Sequence, residues 1–165
     1  MVARQALMSE TVFVPMTCDA AVDLRSGVAV DHYRGCAATS TLVASMDAGT
    51  LIEEAEYAAL GYAGVLALVL HPGLPRLVVA AEVQPGQLRD LCEPLGEVEV
   101  RGLGWTQVRA LFADEPAGRQ AARQVSKVVA GQGLAAALAA PEVGQILDEY
   151  DLLWFAPEEL DQLQR

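Results

Sequence analysis

TLIEEAEYAALGYAGVLALVLHPG, residues 50–73, followed by RLVVAAEV, residues 76–83, decides how this chain folds. Thr50 stands three residues before Glu53, the spacing of a capping box. Glu53, Glu54 and Glu56 fill the first turns, where the helix dipole favours anions. Pro72 and Gly73 supply a stop. The pattern predicts a helix over 50–71. Beyond Tyr57 it is apolar on nearly every side, so a sheet or another chain must cover it. Its apolar run, Ala58 to Leu70, is 13 residues long, too short to span a bilayer. Arg76 to Val83 is a continuous apolar stretch of strand length, which predicts a buried strand.

Working outward, Thr11 to Met16 (TVFVPM) reads as a strand closed by Pro15. Asp19 to Arg25 reads as a short helix with Gly27 after it. Residues 28–41 are ambiguous, with a short strand open at Cys36 to Thr39. Glu97 to Arg101 (EVEVR) alternates and predicts a half-exposed strand. Gln107 to Ala113 is a third candidate. Asp114 then stands as an N-cap and Pro116 as a first-turn residue of a helix to about Ala130. Gly131 to Gly133 breaks that helix. Leu134 to Tyr150 is helical with a break at Pro141. Leu152 to Ala156 (LLWFA) is a last strand, followed by a short acidic helix. No internal repeat stands out. Strands clustered between helices argue for an α+β fold. The expectation is a single two-layer domain over 1–165, with residues 1–10 a poorly ordered N-terminus. Its sheet, mixed or antiparallel, has four to five strands, and helix 50–71 is central.

The 165 residues suffice to bury a core without disulfide or metal. There are 22 acidic against 11 basic residues, a net charge of −11. That field repels phosphate backbones and anionic lipid, which argues against nucleic acid and membrane as partners. Ten of the eleven bases are Arg, Lys127 is the single Lys, and Asn is absent. Such usage follows GC-rich codons and points to a high-GC bacterium. Three cysteines without a CxxC pair, and no apolar leader in residues 1–10, suggest reduced thiols in the cytoplasm.

Candidate chemistry is sparse. Glu53, Glu56 and Tyr57 share a helix face, and two carboxylates with a phenol suit acid–base work or a hard cation. Helix capping explains the same acids without any function. Cys18, His32, Cys36 and Cys92 lack the paired short spacing of a zinc site, so no metal is expected. Gly131 to Ala136 matches G-x-G-x-x-A, which would bind a nucleotide if a strand preceded it; a helix there ends the idea. Arg119, Arg123 and Lys127 repeat every four residues and form a basic stripe, either a dock for an acidic partner or a solvated face. Asp148, Glu149, Asp151, Glu158, Glu159 and Asp161 make the chain's end acidic. Trp154 and Phe155 within it could anchor an interface, but in LLWFA such residues more often mean core. G-x-S-x-G, P-loop and HExxH patterns are missing.

VFVP (12–15), EEAEYAAL (53–60), RLVVAAEV (76–83), ADE (113–115) and DLLWFAPEEL (151–160) together resemble a family of uncharacterised actinobacterial proteins. That family commonly carries Pro after the Thr of its early A-x-T segment; here Ser40 follows Thr39. The resemblance implies a domain of unknown function and assigns no catalytic residue or cofactor. The expected function is a non-enzymatic cytoplasmic binding or regulatory protein, working through a protein partner or as a homodimer. The alternatives are an enzyme of small metabolites at Glu53, Glu56 and Tyr57, and nucleotide binding at the 131–136 turn.

Overall fold

The computed structural model describes residues 9–28 and 30–164. Residues 1–8 of the expected N-terminal arm lie outside them, and Glu10 already opens the first strand. The strands are β1 (Glu10–Pro15), β2 (His32–Ala37), β3 (Leu77–Val83), β4 (Leu88–Asp90), β5 (Glu97–Arg101), β6 (Val108–Asp114) and β7 (Leu152–Phe155). The α-helices are α1 (Cys18–Arg25), α2 (Ser40–Ser45), α3 (Ile52–Leu70), α4 (Arg119–Val128), α5 (Leu134–Leu138) and α6 (Pro141–Glu149). A 3-10 helix, Pro157–Gln164, follows β7. The fold is α+β, and the strands form one antiparallel sheet in the order β4-β5-β2-β1-β3-β6-β7.

Seven strands replace the expected four to five. The surplus comes from β2 and from the three-residue β4, whose residues HYRGCA and LRD carry little apolar alternation. Pairing decides β2 instead. Gly35 sits where a Cβ would come within 2.7 Å of the Phe13 carbonyl, so only glycine lets β2 lie this close to β1.

The two-layer expectation is also corrected. Leu77 to Ala81 is buried at every position, so neither face of β3 can meet water. Phe13, Val78 and Ala80 pack under α3, α4, α5 and α6, while Val12, Val14, Val79 and Leu111 pack against Leu24 of α1 and Leu160 of the last 3-10 helix. The sheet is thus covered on both sides.

α3 lies across β1, β2 and β3 and is capped differently from the expected box. Leu51 occupies the N-cap with no side-chain bond, and the Thr50 hydroxyl donates to the Asp47 carbonyl. The helix therefore starts at Ile52 rather than at 50, with Glu53 and Glu54 still in the first turn. Thr39, before the non-Pro Ser40, caps α2 by accepting from the Leu42 amide. Asp114, expected as an N-cap, ends β6 instead; a 3-10 turn, Pro116–Gly118, separates it from α4.

Two further 3-10 turns, Pro85–Gln87 and Trp105–Gln107, lead into β4 and β6. Gln87 and Gln107 donate to each other's amide oxygens at 3.1 and 2.8 Å. Each also accepts from the backbone N–H just before its own turn. The two strand entries are pinned together by this pair.

Candidate functional site

β7 is an edge strand: it pairs with β6, Leu152 opposite Asp114 and Phe155 opposite Leu111, and among the described residues carries no strand on its other side. Alternation sends Leu152 into the core beneath the helices and Phe155 into the opposite core. Leu153 and Trp154 are left in solvent at 39% and 60% exposure. The expectation of a core Trp154 is thereby corrected, because among the described residues β7 has one neighbour strand and the side chain stays mostly in solvent. Tyr57 of α3, 79% exposed, lines a groove of about 580 Å³ together with Gly61, Leu147, Tyr150 and Trp154. At Gly61 an added Cβ would meet nothing within 4 Å, so the groove floor is open.

A buried ion pair moors this edge. Arg76 and Asp114 are 3% and 2% exposed. The Arg76 guanidinium donates to Asp114 Oδ1 through Nε at 2.9 Å and Nη2 at 2.6 Å, and the Arg76 amide donates to Oδ2 at 2.6 Å. Nη2 also reaches the Tyr150 carbonyl at 3.3 Å, just before β7. Such a pair offsets its desolvation only because the carboxylate is so fully bonded. Among the described residues every buried side-chain polar atom has a partner.

Glu53, Glu56 and Tyr57 do not converge on one pocket. Glu53 is exposed on the first turn. Glu56 lines a separate groove of about 440 Å³ with Glu10, Thr39, Ser40 and Asp90, while Tyr57 turns to the β7 groove. Partial burial, then Glu53 and Glu82, push the Glu56 carboxyl above its ordinary value. The zinc set is dispersed as well. Cys36 is buried, with its thiol pushed up to about 12 first by desolvation and then by Glu97; Cys92 is exposed, and Cys18 donates to the Leu163 carbonyl. Among the described residues no three Cys, His, Asp or Glu side chains are placed to hold a metal. α4 ends at Val128 and a turn leads from it to Gly131, at φ 72°, so the strand that nucleotide binding requires is not there.

Arg119, Arg123 and Lys127 all lie on α4. Arg25, Arg34, Arg76, Arg89, Arg101 and Arg109 each pair with a carboxylate, so the α4 cations are the only unpaired bases among the described residues. Arg119 borders a small cavity of about 180 Å³ with Cys18 and Asp19. The β7 groove escaped sequence reasoning, since LLWF reads the same whether one or two sheet faces are covered. One signal was present: an Arg at the head of an apolar strand demands a buried acid.

A model of a family of unknown function, DUF6912, matches residues 11–164. No curated protein and no solved structure matches the chain. Among the described residues no helix is long and apolar enough to cross a membrane.

Proposed function

This chain belongs to the DUF6912 family of unknown function, and from there we propose that it is a non-enzymatic binding module that accepts a strand of a partner protein along β7. The observation that carries the reading is the open β7 edge with Leu153, Trp154 and Tyr57 in solvent beside it. Unpaired edge amides and carbonyls template another strand, and exposed aromatics supply the anchors that dominate binding energy. Three free thiols suit a cytoplasmic setting, and the GC-rich residue usage an actinobacterial source. The single sheet that joins β4 to β7 supports treating the chain as one domain. The separation of Glu56 from Tyr57 weighs against the enzyme alternative.

The test is selection of displayed peptides against the purified protein. Extended apolar peptides should be enriched, and Trp154→Ala should lose them while keeping the native circular dichroism spectrum. Enriched peptides that bind Trp154→Ala as well as the parent would remove β7 as the site.

α4 is a second contact surface, favoured by the clustering of the unpaired bases at Arg119, Arg123 and Lys127. It suits an acidic segment. Glu replacement of both Arg119 and Arg123 should abolish binding of a poly-glutamate probe; unchanged binding would leave the stripe a solvated face.

A further inference from the structure

We propose that the strand added to β7 is an apolar segment flanked by Lys or Arg, and not a second copy of this chain; this rests on β7 being the docking edge. Both ends of β7 are acidic. Asp148, Glu149 and Asp151 precede it and Glu158 follows it, all exposed. None of the four takes part in an ion pair among the described residues. Arg76, the groove's single cation, is buried and held by Asp114. The edge is thus an apolar centre, Leu153 and Trp154, between two uncompensated negative ends. A segment of matching length adds its backbone to the free edge and lays alternate apolar side chains against Trp154 and Tyr57. Its flanking cations then meet the free carboxylates.

The same charges oppose self-pairing. Symmetric antiparallel pairing centred on Leu153 and Trp154 brings the Asp148–Asp151 end of one copy beside Glu158 and Glu159 of the other. Like charges set opposite one another across strands are destabilising. Each copy also carries the same net charge of −11.

The experiment compares two synthetic peptides with one Val-Thr-Val-Thr-Val core, one with paired Lys at both ends and one with paired Glu. Affinity is read by calorimetry, and protection of residues 152–155 by hydrogen exchange. Four exposed charge contacts predict roughly tenfold tighter binding of the Lys peptide, with the gap closing at high salt. Asp148→Lys with Asp151→Lys should reverse the preference, and Trp154→Ala should weaken both peptides. Equal affinity for the two peptides, at any salt, would overturn the charge inference and leave β7 as a docking edge. Binding of neither peptide to the folded protein would overturn both readings. A dimer in sedimentation velocity that Trp154→Lys dissolves would make the occupant a second copy, against the proposal.

Discussion

The sheet has two edges, and they are built differently. β4 is three residues long, lies between Pro85 and Pro94, and presents Arg89 and Asp90 to solvent. Arg89 reaches across to Glu99 of β5, and the chain then turns away through Cys92 at φ 57°. Short length, charge and nearby proline are the means by which proteins blunt an edge. β7 is also short, at four residues, and Pro157 follows it, but Leu152–Phe155 carries no charged side chain. The contrast teaches where association is permitted: one side of the sheet is closed to new strands, and the other is apolar and framed by acids.

The largest effect should come from the mooring of the open edge. Asp114→Ala leaves the Arg76 charge buried without its carboxylate and should cost about 3–5 kcal/mol in urea unfolding. Replacing both residues with apolar ones of similar volume should cost far less, since the pair itself adds little net stability. A loss in Asp114→Ala below about 1 kcal/mol would show that Arg76 reaches solvent and that β7 is not held this way.

On the closed side, Gly96 precedes β5 at φ 77°, and a Cβ there would collide with the Ala37 carbonyl. Gly96→Ala should therefore cost at least about 2 kcal/mol, read from the shift in melting temperature. A neutral result would mean that the β2–β5 junction yields easily, and the closed edge would lose its rigidity.

Trp154→Lys gives β7 the kind of side chain that blunts β4. Trp154 is mostly in solvent, so unfolding free energy should change by less than about 1 kcal/mol while peptide binding disappears. Retained binding would erase the functional difference between the edges.

The smallest effect concerns Arg89. Its bond to Glu99, with a second from Arg101, holds that carboxyl below its ordinary value. A carboxylate with a lowered folded value stabilises above the unfolded value, and the stabilisation is lost as pH falls through the folded one. Arg89→Ala should move the Glu99 titration, followed by NMR, back toward the ordinary carboxylate range and flatten the acid dependence of stability. An unmoved Glu99 titration would assign its shift to Arg101 alone.

Elements with strong periodicity were legible from residues alone. α3 announced itself by its acidic start and its Pro72-Gly73 stop, β3 by unbroken apolarity, β5 by alternation. What stayed hidden depends on neighbours distant in sequence. β2 exists because Gly35 admits β1 and Val98 pairs with it, a relation no local window contains. The turns before β4 and β6 share only a final Gln followed by an aliphatic residue and Arg, too little to register as a repeat, yet they meet through Gln87 and Gln107. The Glu53–Glu56–Tyr57 face was legible as a face, but not its division between two grooves, which α2 and β7 create. Trp154 shows the same limit: its alternation was readable, the missing cover was not.

The place of β1 in the sheet bears on how the protein is made. Glu10 of β1 pairs with Val83 of β3, while its other neighbour β2 is synthesised soon after it. At 5–20 residues per second, the roughly 70 residues between those partners take about 4–15 s to leave the ribosome. During that interval Val12 to Val14 has one backbone edge unmatched, and α3 emerges before β3, one of the three strands on which it rests. A nascent chain halted short of residue 83 therefore displays the apolar centre of its own sheet, and chaperones that hold extended apolar segments should engage it there and release it once β3 is out.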